Sequence, residues 1–260
     1  MTPEAHRAFT AQLVATLAGD PDVLGVVTLG STSGQPPAPD AFSDHDFFVV
    51  VRPGAQERFR ADLGWLPDAD LVALAFRETA HGLKVLYRSG HLAEFAVFEP
   101  GELPLARVNR HAVPLDRADV AARLLRVREA TAAAGAAPRA DEAWLAGQLL
   151  TTLVVGAGRF ARGERLSGHL LVRAGALHHL VPLLRAGLPP EAAARLDDLD
   201  PFRRLEGALP AEAAALDAAL ALPVPGAARA LLAVARRARP ELFGEAAVHA
   251  VEAALAAAGG

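Results

Sequence analysis

The sequence predicts an α+β protein in which a small mixed β-sheet, flanked by helices, is followed by a C-terminal bundle of α-helices. The first observation is an uneven composition: eight of the eleven phenylalanines precede residue 100, whereas 42 of the 59 alanines follow residue 117. The second is that apolar residues form short runs in the first part and recur at helical spacing in the second. β-Branched and aromatic residues favour strands, and alanine and leucine favour helices.

The first hundred residues contain one predicted amphipathic helix and several short strands. The helix is predicted over residues 3–17, because Phe9, Leu13 and Leu17 recur at helical spacing behind the start Thr2-Pro3-Glu4. Segment 31–43 carries Gly34 and three prolines, which excludes a helix and predicts a functional or mobile loop. The other predicted elements are buried strands at 23–29 and 47–51, a short helix at 54–63, and strands at 71–76, 83–87 and 92–98.

The remainder of the chain is predicted to be helical. Pro100, Gly101, Pro104 and Pro114 indicate a linker or a change of architecture within residues 100–117. The chain is therefore expected to form two domains, at 1–112 and 113–260. Apolar residues at helical spacing predict helices at 117–134, 141–162, 168–186, 210–220, 226–237 and 244–258.

Charge and composition exclude several classes of protein. With 26 basic and 30 acidic side chains, the chain lacks the basic character expected of a protein that binds duplex nucleic acid. Without cysteine it can form neither disulfides nor thiolate metal sites. Its apolar runs are shorter than the roughly 20 residues that span a bilayer, and its N-terminus has no export signal. We therefore expect a cytoplasmic protein that does not enter a membrane.

Two aspartates precede one of the predicted buried strands. Because side chains alternate along a strand, Asp44 and Asp46 are expected on one face, about 6 to 7 Å apart. Two such carboxylates repel each other unless a cation lies between them, and their oxygens suit Mg²⁺, which also binds substrate phosphates. The alternative is a solvent-exposed pair at the end of a loop. Asp-x-Asp also begins at Asp20, Asp68 and Asp198, so the prediction depends on the buried strand at 47–51.

Further candidate residues lie on the strands around this pair. Gly30 and Ser31 end the preceding strand, where a glycine turn lets backbone amides approach phosphate oxygens and the serine hydroxyl can donate to them. Glu94 is the only charged residue in an apolar strand, so it either faces solvent or joins the acidic cluster. Glu99, just after that strand, is the weaker candidate for a third acid.

These residues resemble the nucleotidyltransferase superfamily that includes DNA polymerase β. The resemblance rests on Leu29-Gly30-Ser31, a loop, Ser43-Asp44-His45-Asp46 before an apolar strand, and a third acid, Glu94, further on. Within the superfamily the chain is most similar to aminoglycoside and lincosamide nucleotidyltransferases, through Trp144-Leu145 and the run 156–164. It departs from many relatives in having Glu as the third acid and a longer, proline-rich loop at 32–42.

The resemblance implies a magnesium-dependent enzyme that transfers a nucleoside monophosphate, AMP from ATP or the equivalent from another NTP, to a hydroxyl group. Asp44, Asp46 and Glu94 would bind Mg²⁺ and act in catalysis, with Glu94 as the third ligand or the general base. Gly30 and Ser31 would bind the phosphates, assisted by an arginine such as Arg162. Domain 1–112 would be catalytic, and the helical domain 113–260 would bind substrate and nucleotide and form the other wall of a cleft for the acceptor.

The implied partners are a nucleoside triphosphate and a small acceptor, with an aminoglycoside or lincosamide antibiotic as the acceptor that the resemblance suggests. Such an activity would confer antibiotic resistance. Two alternatives remain open: a nucleotide-binding regulatory module without transfer activity, and an enzyme that nucleotidylates a protein partner. The sequence is compatible with a monomer or a homodimer.

Overall fold

The computed structural model describes residues 1–36, 38–135, 141–197 and 199–259. The chain divides into two compact units, Met1–Gly135 and Ala136–Gly260. The first contains a mixed β-sheet and the second is helical, which confirms the predicted α+β class. The functional division between 1–112 and 113–260 stays a prediction. No helix among the described residues has both the length and the apolar character needed to cross a bilayer.

Six strands in the described part of the chain form one sheet, in the order β3-β4-β5-β2-β1-β6. The neighbours β2 and β5 run parallel, and the other neighbouring pairs are antiparallel. The five predicted strands are present within two residues of their predicted bounds. The strands are β1 (Val23–Leu29), β2 (His45–Val51), β3 (Val72–Arg77), β4 (Gly82–Tyr87), β5 (Leu92–Phe98) and β6 (His111–Asp116).

Helices cover both faces of this sheet and bury its alternating residues. Phe47, Val49 and Val51 of β2 pack in the cluster that contains the buried face of α1, whereas Val50 packs in the cluster that contains α3. The first helix begins at a capping residue, because the Thr2 hydroxyl accepts a hydrogen bond of 3.2 Å from the Ala5 amide. The helices of this unit are α1 (Pro3–Ala18), α2 (Gln56–Ala61) and α3 (Val120–Gly135), with 3₁₀-helices at Gly30–Ser33, Ala69–Leu71 and Leu103–Leu105.

The second unit is built around its own apolar core of leucine, valine and alanine side chains. The helix predicted over 168–186 is divided, because a π-helical turn at Leu170–Gly175 separates α5 from α6. The helices are α4 (Glu142–Ala161), α5 (Arg165–His169), α6 (Ala176–Ala186), α7 (Pro190–Ala193), α8 (Leu205–Ala208), α9 (Pro210–Ala221), α10 (Val224–Ala238) and α11 (Glu245–Ala258), with a 3₁₀-helix at Pro240–Leu242.

Two segments differ from the sequence prediction. The start of segment 31–43 lies in a 3₁₀-helix, where the Ser33 hydroxyl donates to the Gly30 carbonyl at 2.7 Å and closes the turn. Residues 100–117 are not a plain linker, since they contain a 3₁₀-helix and strand β6. Pro114 is compatible with β6 because that strand lies at the edge of the sheet, where one side needs no backbone donor.

Candidate active site

Asp46 and Glu94 are neighbours on one face of the sheet. They are directly paired in the register of the parallel strands β2 and β5. The same row continues through Lys84 on β4 and Phe76 on β3, each paired with the residue before it. Both carboxylates are half-buried. The register therefore brings the second aspartate and the predicted third acid together, as the sequence led us to expect.

Glu94 also has a cationic partner that the sequence prediction left out. Its Oε1 lies 3.2 Å from Nζ of Lys84, and the same ammonium lies 3.0 Å from Oε1 of Glu78. Hydrogen bonds to Glu78 and then to Glu94 raise the pKa of Lys84 above its ordinary value. The negative charge of Glu94 is therefore partly balanced by the protein itself.

The Gly30 turn lies directly against the carboxylate of Asp46. Gly30 has a φ of +56°, and a Cβ built on it would lie 3.6 Å from Oδ2 of Asp46. The Gly30 amide donates to the Arg110 carbonyl at 3.0 Å, so that amide is not available to a ligand. Ser31 follows within the 3₁₀-helix, and its hydroxyl has no hydrogen-bond partner among the described residues. The turn therefore brings Gly30 against an acidic group, and Ser31 is the next residue along the chain.

Asp44 lies one residue before β2, at the edge of a cavity of about 420 Å³. Ser43, His91 and Leu92 also line this cavity. Asp44 is half-buried, as Asp46 is. The weaker candidate, Glu99, accepts a hydrogen bond of 2.9 Å from the side chain of Gln56 on α2, just past the far end of β5.

The carboxylate oxygens of Asp44 and Asp46 are suitable ligands for Mg²⁺, which is commonly held by one or two carboxylates together with waters and substrate phosphates. Within the described ranges, no three His, Cys, Asp or Glu side chains form a group that could hold a metal ion. A magnesium site formed by Asp44 and Asp46 stays a prediction, as does coordination by all three acids.

Arg162 belongs to the second unit. It caps the C-terminus of α4, with its amide donating to the Gly158 carbonyl at 3.1 Å. Its Nε donates to Glu164 at 3.2 Å, and the side chain is 66% exposed. An exposed pair of this kind is weak, so the guanidinium could exchange Glu164 for a phosphate. Its role toward the nucleotide stays a prediction.

A cluster of three buried histidines lies on the other face of the sheet, behind the acids. His45 precedes Asp46 on β2, so its side chain points away from that of Asp46. Its ring stacks on His6 of α1 at a centroid distance of 4.8 Å. Its Nδ1 lies 2.8 Å from Nε2 of His91. This cluster was not predicted from the sequence. The alternation of side chains along β2 that places Asp46 on one face also places His45 on the other, buried face.

The hydrogen bonds of the cluster define its tautomers. Nε2 of His45 lies 3.2 Å from the carbonyl oxygen of His6 and must donate to it, so Nδ1 of neutral His45 accepts from Nε2 of His91. Burial lowers the pKa of His45 to about 3 and that of His91 to about 4. Burial also lowers the pKa of His6. The three rings are therefore neutral at physiological pH.

Comparison with solved structures gives several matches, which include two over nearly the whole chain. An aminoglycoside 6-adenyltransferase from Bacillus subtilis aligns at 11% identity over 96% of this chain and 97% of that chain, with a TM-score of 0.33. A chain of the CdnC:HORMA-deltaN complex of E. coli MS115-1 aligns at 14% identity over 94% and 92%, also with a TM-score of 0.33. No protein-family model and no curated protein matches the chain. Similarity at this level does not assign a family.

Proposed function

We propose that this protein is a magnesium-dependent nucleotidyltransferase that transfers a nucleoside monophosphate, AMP from ATP in the first instance, to a hydroxyl of a small molecule. The observation that carries the proposal is the approach of the Gly30 turn to the carboxylate of Asp46, which Glu94 joins through the sheet register. A glycine turn against an acidic side chain, followed by a serine, would combine a phosphate-binding element with ligands for a divalent cation.

In the proposed reaction the acceptor oxygen attacks the α-phosphorus of the triphosphate. A new O–P bond forms, the P–O bond to the β-phosphate breaks, and pyrophosphate leaves with its electron pair. The acceptor proton passes to Glu94 or to water. Asp44 and Asp46 would hold Mg²⁺, which when bound neutralises charge on the phosphates.

Other residues would bind and orient the substrates. The Ser31 hydroxyl would donate to the β- or γ-phosphate, and Arg162 of the helical unit would supply a bidentate contact to the triphosphate. Lys84, 3.2 Å from Glu94, would hold the carboxylate of Glu94 in position. Rate enhancement would come chiefly from positioning the two reacting groups and stabilising charge.

Release of pyrophosphate tests this proposal directly. Wild-type protein is incubated with Mg²⁺, each of the four NTPs and a panel of acceptors that includes aminoglycosides and lincosamides. We expect acceptor-dependent pyrophosphate release that disappears when EDTA replaces Mg²⁺. Tight ATP binding without release would identify a regulatory module instead, and nucleotide found on proteins of a cell lysate by mass spectrometry would identify a protein-modifying enzyme.

A further inference from the structure

A cavity of about 500 Å³ in the first unit is lined by α3 and by segment 100–107, which follows β5. Its volume is within the range of pockets that bind small molecules. Glu94 lies near the start of β5, about 13 Å along the strand from the last residue, Phe98. None of the candidate active-site residues lines the cavity, so it is a separate site.

The two walls of this cavity are fixed by contacts of their own and are partly apolar. Leu103 is fully buried and packs in the same core cluster as Val127 of α3. The Val108 amide donates to the Thr131 hydroxyl at 3.0 Å, which attaches the end of the segment to α3. Val127, Ala130 and two prolines of the segment line the cavity. An apolar group placed against them would be removed from water.

The same cavity carries positive charge that its own lining does not balance. Arg123 and Arg126 lie three residues apart on α3, so both share the cavity side of the helix with Val127. Neither guanidinium has a hydrogen bond or ion pair with another described residue. Arg107 also lines the cavity, from segment 100–107, and none of the described lining residues is acidic.

Arg123 presents its terminal nitrogens to the cavity. The residue is half-buried, and its Nε is buried without a hydrogen-bond partner among the described residues. Its two terminal nitrogens also have no such partner, but they retain accessible surface, so these are the atoms that a ligand can reach. Partial burial of an unpaired charge costs free energy, and charge-assisted hydrogen bonds from the terminal nitrogens to an anion would offset that cost.

We infer that this cavity binds a small amphiphilic anion, with a carboxylate or phosphate head group on Arg123 and Arg126 and an apolar chain against Val127, Ala130 and the prolines. A guanidinium binds either head group through two parallel hydrogen bonds. A neutral apolar molecule would leave the arginines unpaired, and a small inorganic ion would leave the apolar wall in water. Binding here requires neither the nucleotide nor the Mg²⁺ of the proposed transfer reaction.

Four ligands separate the contribution of the head group from that of the chain. Octanoate, octyl phosphate and octan-1-ol carry the same alkyl chain, whereas acetate has the carboxylate without the chain. Binding to the full chain is measured by isothermal titration calorimetry, below micelle-forming concentrations and without nucleotide or Mg²⁺. We expect octanoate or octyl phosphate to bind at least tenfold more tightly than octan-1-ol and acetate, and the tighter of the two anions identifies the head group.

Three glutamine variants on α3 locate the binding site. Arg123 and Arg126 line the cavity, whereas Arg128 does not. Because a hydrogen bond to a charged group is lost, we expect Arg123→Gln and Arg126→Gln each to raise the Kd of the tighter anion by about tenfold or more. Arg128→Gln should change it less than twofold. Arg126 and Arg128 are both exposed, so this pair of variants keeps the test valid even if Arg123→Gln lowers stability.

Three results would overturn the inference: no binding of either octyl anion, binding of octan-1-ol as tight as that of the anions, or binding of acetate as tight as that of octanoate. Equal effects of Arg126→Gln and Arg128→Gln would overturn it as well. The anion would then be attracted by the general positive charge of α3 and not held in the cavity.

Discussion

Glu94 and Lys84 face each other across strands β5 and β4, with Oε1 and Nζ 3.2 Å apart. On its other side Glu94 is paired in register with Asp46. In this row of side chains, Lys84 and Glu94 carry opposite charges, whereas Glu94 and Asp46 are both negative. The lysine lies on one side of Glu94, and on the other side the like charges of Glu94 and Asp46 favour a cation between them.

Replacing Glu94 by Gln tests whether this carboxylate acts in the reaction. Gln keeps the shape of the side chain but cannot accept a proton or bind Mg²⁺ strongly, so we expect transfer to fall by about tenfold or more. Pyrophosphate release is the measurement. Glu78→Gln is the matched control, because Glu78 is the other partner of Lys84. If Glu94→Gln and Glu78→Gln lower transfer equally, the loss arises from the altered surroundings of Lys84 and not from the carboxylate of Glu94.

Replacing Asp46 by Asn separates a catalytic from a structural aspartate. We expect transfer to fall by about 100-fold or more, because the change weakens binding of the cation that neutralises the phosphates. Without Mg²⁺, the Tm should be unchanged or higher, since a like charge beside Glu94 is removed. Asp70→Asn, in an exposed Asp-x-Asp pair, is the control and should change neither quantity. A large decrease in the Tm of Asp46→Asn would mean that the Asp46 carboxylate stabilises the fold.

The strands were predictable because burial on both faces leaves a clear signal, whereas the pairing of Asp46 with Glu94 depends on strand order, and the sequence left open whether Glu94 faces solvent or the acids. Residues 23–29 are apolar apart from Gly25 and Thr28, and β1 has those bounds. Strand β6 was missed because it is an edge strand with Pro114 inside it, a residue that the sequence analysis associated with a linker. The Lys84–Glu94 pair was missed because it depends on the order of strands in the sheet, which local sequence does not specify.

The buried histidines predict a loss of stability in mild acid. Their pKa values in the folded protein lie near 3 and 4 for His45 and His91, below the value of about 6.5 in an unfolded chain. As the pH falls below about 6.5, the unfolded state gains protons that the folded state cannot bind, which lowers the free energy of unfolding by about 1.4 kcal/mol per pH unit for each histidine. Urea unfolding at pH 7.5 and pH 5.5 should therefore differ by about 2 kcal/mol or more.

A histidine variant assigns this pH dependence to the cluster. The Gln side chain of His91→Gln can donate to Nδ1 of His45 but does not titrate, so we expect the difference between pH 7.5 and pH 5.5 to fall by about half. His249→Gln, on the exposed face of α11, should leave the difference unchanged. If the free energy of unfolding of His91→Gln and of His249→Gln depended on pH in the same way, the pH dependence would not come from the buried histidine cluster.

Two glycines of α4, two residues apart, should respond in opposite directions to alanine. A Cβ on Gly156 would lie 2.7 Å from Cγ2 of Val172 in the π-helical turn, whereas a Cβ on Gly158 would meet nothing within 4 Å. Gly156→Ala should therefore lower the free energy of unfolding by about 1 to 3 kcal/mol through overpacking. Gly158→Ala should raise it by up to about 1 kcal/mol, because alanine favours the helix more than glycine does. Urea unfolding midpoints measure both changes. If Gly156→Ala also stabilised the protein, the π-helical turn would have to move away from α4 without a cost in free energy. The close packing of Val172 against Gly156 makes us expect the opposite.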